Sequence, residues 1–126
     1  MEIEIITTPD APRPVGPYSQ AVRAGEFIFC AGHGGFDPGS GRLVEGGIGA
    51  QTAQALRNLA AVLEAGGSSL SRVVKVTVFL HDWNDFQEMN AAYAEFFADD
   101  PPARSTVQGQ RWPDGSLVAI EAIALA

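Results

Sequence analysis

Cysteine is nearly absent from this sequence. Its 126 residues contain a single cysteine, Cys30, so no disulfide can form within the chain. A small domain without disulfides is typical of a reducing compartment, and we expect a cytoplasmic protein. No run approaches the roughly 18 apolar residues of a membrane span, and the acidic, then apolar N-terminus lacks the basic start of a secretory signal. The two histidines, His33 and His81, match no zinc spacing, so no structural metal is expected.

Positive charge is also scarce. Eight Lys and Arg residues stand against 15 Asp and Glu residues, which gives a net charge of −7 at pH 7. This charge opposes non-specific binding to nucleic acids, although a local cationic pocket for a small anion remains compatible with it. Hydrophobic residues make up 46% of the chain and charged residues 18%, as in globular proteins. The length predicts one domain over residues 1–126.

The pattern of apolar residues predicts an α+β fold. Strands are expected at residues 3–6, 20–24, 27–31, 73–80, 103–110 and 117–125. One helix carries an apolar stripe of Leu56, Leu59, Ala60 and Leu63 and ends at Gly66. A second helix is expected to open on a capping box at residues 84–87, with a stripe of Phe86, Met89, Tyr93 and Phe97. The order β-β-β-α-β-α-β-β predicts a mixed sheet with both helices on one face.

Glu121 is the one charged residue in the last predicted strand, whose two faces are otherwise apolar. An unpaired carboxylate there is costly, so Glu121 needs a partner, a water molecule or a function. A turn at residues 112–115 would pair the last two strands antiparallel and place Arg104 near Glu121. The pair is then either a structural ion pair that contributes little, or an arginine that binds a ligand carboxylate beside a glutamate that handles a proton.

Other candidate residues carry weaker signals. Residues 47–52 half-resemble a dinucleotide loop but lack its third glycine, which argues against nucleotide binding. Cys30 lies in an apolar strand, where a buried, inert thiol is the simpler interpretation. His33 lies in a glycine-rich loop, where histidines are usually exposed, and it is a candidate substrate-binding residue. Asn90 is polar beside an apolar helical stripe, which indicates a hydrogen bond to a loop or a ligand.

Several segments together resemble one known family. They are residues 16–22 (GPYSQAV), 75–80 (KVTVFL), 84–86 (NDF), 89–90 (MN), 102–107 (PARSTV) and 120–124 (IEAIA). With these segments in order and at the right spacing, the chain is identified as a member of the RidA (YjgF-type) reactive intermediate deaminases, formerly called endoribonuclease L-PSP.

The resemblance implies a fold and an activity. The family fold is a chorismate-mutase-like α+β domain with a mixed six-stranded sheet and two helices. It assembles as a homotrimer with three sites in the clefts between subunits. Active members hydrolyse 2-imino acids, or their enamine tautomers, to 2-keto acids and ammonia without a cofactor. Pyridoxal-phosphate enzymes such as threonine and serine dehydratases generate these imines.

The resemblance also implies roles for particular residues. Arg104 matches the family arginine that binds the substrate carboxylate in bidentate fashion. Glu121 matches the residue that orients a water molecule and takes its proton. Tyr18 matches a tyrosine that lines the cleft, and Asn90 matches an asparagine that helps to fix the site. Gly32 matches a glycine whose backbone lies beside the substrate.

The chain departs from the family pattern at three positions. It has Ala31-Gly32-His33 where many deaminases have Ser-Gly-Gln, and Thr106 where they often have cysteine. Thr106 keeps a hydroxyl, its backbone carbonyl remains available to a water molecule, and His33 adds a group that titrates near neutral pH. These changes bear on substrate range, so deamination of a different, specialised enamine is one alternative. A second is a regulatory protein that binds a small carboxylate without turnover. Ribonuclease activity is disfavoured by the net charge.

Overall fold

A computed structural model of the protein describes residues 2–109, 111–112 and 114–126. Within these residues, six strands and two α-helices follow one another as β1 (Ile3–Ile6), β2 (Ala21–Ala24), β3 (Phe27–Gly34), α1 (Gly47–Ala65), β4 (Val73–Leu80), α2 (Phe86–Ala94), β5 (Ala103–Gln108) and β6 (Val118–Leu125). The strands form one sheet in the order β1-β2-β3-β6-β4-β5. Strands β4 and β5 run parallel, and the other neighbours are antiparallel. The predicted mixed sheet and α+β class are confirmed.

Helix α1 covers one face of the sheet and begins at Gly47, near the end of a glycine-rich stretch at residues 32–49. Leu56, Leu59 and Leu63 are at most 1% exposed, and the helix packs on β3 and β6. Glycine allows the close approach, since a Cβ at Gly35 would lie 2.7 Å from Cα of Gln51 in α1. Helix α2 packs against α1 on the same face, as predicted. In the described part of the chain, neither helix is long and apolar enough to cross a membrane.

The entry into α2 differs from the expected capping box. Asp85 occupies the N-cap of α2 and its side chain makes no capping hydrogen bond. The chain instead enters α2 through a 3-10 turn at Trp83–Asp85, where the Asp82 carboxylate accepts a hydrogen bond from the Asn84 amide at 2.9 Å. Because that turn precedes α2 directly, the capping side chain is Asp82, two residues before the predicted cap at Asn84.

The expected hairpin between the last two strands is wrong. Strand β5 pairs in parallel with β4, and β6 lies between β3 and β4. The physical reason is burial: β6 is apolar on both faces except at Glu121, which suits the centre of the sheet, while β5 carries polar side chains and lies at the edge. Helix α2 is then the crossover between two parallel strands.

Candidate functional site

A β-bulge lies next to Glu121. Cys30 pairs with Ala122 and His33 with Ile120, so both Ala31 and Gly32 lie opposite the single residue Glu121. Bulges of this kind bend a strand and re-aim side chains, and they are over-represented near active sites. Gly32 is exposed, and a Cβ built there would have nothing within 4 Å. The bulge therefore leaves open space beside Glu121.

The bulge also decides where His33 points. His33 is 6% exposed, and its Nε2 lies 3.4 Å from the carbonyl oxygen of Gln20. Burial lowers the pKa of His33, and the contact with Gln20 opposes that shift in part. The expected position in an exposed loop is wrong, because β3 continues to Gly34 and its extra residue turns His33 towards the helices. Its ring lies on the opposite face of the sheet from Glu121.

Glu121 borders a small cavity on the sheet face that carries no helices. The cavity has a volume of about 160 Å³ and is lined by Phe29, Cys30, Lys75, Thr77, Glu121, Ala122 and Ile123. Lys75 was not singled out from the sequence, and its Nζ donates a hydrogen bond to Ser105 Oγ at 2.9 Å. Among the residues that the structure describes, the Glu121 carboxylate has no hydrogen bond or ion pair. We call Gly32, Glu121 and this cavity the carboxylate half-site.

Arg104 lies against α2 on the other face of the sheet. Its Nη2 donates a hydrogen bond to Asn90 Oδ1 at 2.6 Å. Its Cζ lies 4.7 Å from the centre of the Tyr93 ring and 5.8 Å from that of Phe86. Thr106 is two residues further along β5 and lies on the same face as Arg104. We call Asn90, Arg104 and Thr106 the cationic half-site.

The two half-sites lie on opposite faces of one sheet. Arg104 pairs with Val76, and Val76 pairs with Ala122, whereas Glu121 pairs with Thr77. Directly paired residues share a face and neighbours along a strand alternate, so Arg104 and Glu121 point in opposite directions. Strand β4 also separates them, by two strand spacings or about 10 Å. The expected cross-strand neighbourhood of Arg104 and Glu121 is therefore wrong.

Tyr18 lies in the loop that precedes β2. It is 49% exposed, and its hydroxyl accepts a hydrogen bond from the Val15 amide at 3.2 Å. The loop is held by Gln20, whose buried amide group donates to the Pro12 carbonyl at 2.9 Å. The Gln20 carbonyl accepts from the Ala31 amide at 2.9 Å, which anchors the loop beside the bulge. Sequence reasoning missed Gln20, and the only available signal was a polar residue at a strand entrance.

Cys30 is the remaining candidate nucleophile from the sequence. Cys30 is buried, and burial raises the pKa of its thiol to about 12, so it is not a thiolate at neutral pH. Among the described residues, no group of three His, Cys, Asp or Glu side chains is placed to hold a metal ion.

A larger groove of about 590 Å³ lies between the N-terminal loop and α1. Its lining includes Arg57 and Phe96, and none of the predicted site residues lines it.

Comparison with known proteins agrees with the fold. A family model described as endoribonuclease L-PSP matches residues 8–126. A RutC family protein of Pyrococcus horikoshii is 53% identical over 121 residues, which are 96% of this chain and 96% of that protein. A mouse protein named 2-iminobutanoate/2-iminopropanoate deaminase is 46% identical over 122 residues, 97% of this chain and 90% of that protein. The crystal structure of Escherichia coli TdcF with bound serine superposes with a TM-score of 0.92 at 36% identity and covers 98% of both chains.

Proposed function

This chain belongs to the RidA (YjgF-type, endoribonuclease L-PSP) family, and we propose that it hydrolyses 2-imino acids or their enamine tautomers to 2-keto acids and ammonia. The proposed substrates are 2-iminobutanoate and 2-iminopropanoate, the compounds in the name of the mouse relative. One observation carries the proposal: Arg104 is held on a neutral amide, with no acidic partner among the described residues. Its charge is therefore free to bind a small carboxylate.

Arg104 binds the substrate carboxylate in this proposal. A guanidinium has five N–H donors in a rigid fork, and the hydrogen bond to Asn90 uses one of them. The remaining donors suffice for a bidentate contact with two carboxylate oxygens. Thr106, on the same face of β5, offers its hydroxyl and its backbone carbonyl to the bound substrate or to a water molecule. Asn90 sets the rotation of the guanidinium and thereby fixes the direction of the fork.

Glu121 acts on the water molecule. A protonated imine is already electrophilic at carbon, so the protein needs chiefly to position the reactants. The water oxygen bonds to the imine carbon as Glu121 accepts a proton from it. The carbon–nitrogen π electrons move to nitrogen in this step, which leaves a neutral carbinolamine. Glu121 returns its proton to the amine nitrogen, the carbon–nitrogen bond breaks and ammonia leaves. The hydroxyl proton then passes to Glu121 as the carbon–oxygen double bond of the keto acid forms. The Gly32 backbone and Tyr18 line the cleft in this proposal.

A complete site then requires more than one copy of the chain. Arg104 and Glu121 lie on opposite faces of the sheet in one protomer, so we propose that a cleft between subunits joins the cationic half-site of one to the carboxylate half-site of the next. The face without helices exposes Phe27, Phe29 and Leu125 by 37–42%, which is apolar area for burial between subunits. A homotrimer with three such clefts is the proposed assembly. We also propose a cytoplasmic location.

A second candidate function is carboxylate binding without turnover. The serine bound to TdcF favours it, since serine also carries a carboxylate. A specialised enamine substrate is a variant of the first proposal, motivated by Ala31 in the bulge opposite Glu121. The ribonuclease activity in the family's description would require binding to a polyanion, which the net charge of −7 opposes.

A coupled imine assay tests the proposal. An amino-acid oxidase generates the imino acid in situ, semicarbazide traps it, and the deaminase competes with trapping. We expect the wild-type protein to suppress trapping and Arg104→Ala to abolish this effect. Arg104→Lys is the matched control that keeps the charge but loses the fork, and we expect it to retain a small part of the activity. Unchanged activity in Arg104→Ala would contradict the proposal, and binding of 2-oxobutanoate without any turnover would favour the second candidate.

A further inference from the structure

Arg104 lies in a cradle formed by one stripe of α2. Phe86, Asn90 and Tyr93 follow at i, i+4 and i+7, which places them on one side of the helix. The Tyr93 and Phe86 rings lie 4.7 Å and 5.8 Å from Cζ of Arg104, and Asn90 accepts its hydrogen bond. A guanidinium stacks on aromatic faces while its N–H donors remain in its plane. The cradle can therefore hold the guanidinium in one orientation while its remaining N–H donors stay free for a ligand.

The cradle contains no negative charge. A half-buried arginine is usually paired with a carboxylate, yet the only ion pair among the described residues joins Arg23 and Glu4. Here two aromatic faces and one amide oxygen take the place of that carboxylate. A carboxylate in this position would compete with a ligand carboxylate for the guanidinium. The neutral cradle avoids this competition.

Tyr93 contributes its ring rather than its hydroxyl. The residue is 6% exposed, and its hydroxyl has no hydrogen-bond partner among the described residues. Burial raises the pKa of Tyr93, and the Arg104 guanidinium opposes this shift. The ring itself faces the Arg104 guanidinium at 4.7 Å, and comparing Tyr93→Phe with Tyr93→Leu separates the contribution of the ring from that of the hydroxyl.

We propose that Tyr93 and Phe86 are positioning residues. Their rings hold the Arg104 guanidinium in one orientation with no negative charge beside it, so that it can bind a ligand carboxylate. The proposal rests on the proposed function only in that Arg104 binds the carboxylate. Sequence reasoning treated Tyr93 as a core residue, and it missed this role because the contact joins α2 to an edge strand.

The test compares carboxylate binding in Tyr93→Leu, Tyr93→Phe and Phe97→Leu. The leucine variant removes the ring, and the phenylalanine variant keeps it. Phe97 is a matched packing control, because its ring lies 4.8 Å from that of Tyr93 in the same core. Among the described residues, only the rings of Phe86 and Tyr93 make a cation–π contact with Arg104. Calorimetry measures the affinity for 2-oxobutanoate and for its uncharged amide, and the imine assay measures kcat and KM.

We expect Tyr93→Leu to weaken 2-oxobutanoate binding about tenfold, with a similar rise in KM, little change in kcat and little change in amide binding. Tyr93→Phe and Phe97→Leu should stay within about twofold of wild type for both ligands. Equal losses for 2-oxobutanoate and the amide, or equal losses in Tyr93→Leu and Phe97→Leu, would overturn the proposal. Absence of turnover with the expected binding pattern would refute the deaminase function alone and leave this proposal standing.

Discussion

Mixing two inactive variants should restore activity if the site lies between subunits. Arg104→Ala removes the carboxylate anchor, and Glu121→Gln removes the proton acceptor with almost no change in shape. In one protomer the two residues lie on opposite faces of the sheet with β4 between them. A substrate of a few heavy atoms cannot reach both across about 10 Å of sheet. Each variant alone is therefore expected to contain no complete site.

The recovered activity follows from the statistics of assembly. In a cyclic trimer, each site takes Arg104 from one subunit and Glu121 from its neighbour. In a random 1:1 mixture, the first subunit has an intact arginine in half of the cases, and the second has an intact glutamate in half of the cases. About one quarter of the sites are then complete, and the mixture should show about one quarter of the wild-type rate.

The assay is imine hydrolysis after the two variants are denatured together and refolded. The control replaces the Arg104→Ala protein with the double variant Arg104→Ala/Glu121→Gln, which supplies no intact glutamate, and no activity should return. Light scattering and mass spectrometry must show mixed trimers. If mixed trimers form and the rate stays at the level of the separate variants, the reasoning that divides the site between subunits is refuted.

Three further predictions concern individual residues. Asn90→Asp should place a carboxylate on Arg104, raising KM about tenfold while the melting temperature is maintained; an unchanged KM would contradict the neutral cradle. Gly32→Ala should leave the melting temperature unchanged, because the new Cβ meets open space. Gly35→Ala should lower the free energy of unfolding by about 1–3 kcal/mol, because its Cβ would lie 2.7 Å from Cα of Gln51 in α1. Equal melting curves for the two variants would refute this contrast. The pKa of His33 is lowered by burial from its usual 6.5, so the unfolded state binds the proton more readily and the free energy of unfolding should fall below about pH 6.5. Denaturant titrations should show a smaller fall in the free energy of unfolding for His33→Gln than for the wild type. Identical pH profiles for the two proteins would contradict this role of His33.

Local patterns in the sequence determined most of the elements. The strand at residues 73–80 was predicted to the residue, because alternation of β-branched residues over eight positions is a local property. The apolar stripe and Gly66 likewise marked the end of α1. Glu121 stood out because a single charge in an otherwise apolar strand is costly without a function. These signals depend only on neighbouring residues and on the period of the backbone.

Only the tertiary structure decided which strands are neighbours and which face each candidate occupies. The sequence alone favoured a hairpin between the last two strands, yet β6 lies at the centre of the sheet because its two apolar faces are buried there. One extra residue in β3 turns His33 inward and opens space beside Glu121. Strand order and bulges depend on contacts between residues far apart in the chain, and a local pattern holds no information about which distant partner is chosen. The sequence therefore determined which residues could carry the chemistry, and the sheet decided that one protomer does not bring them together.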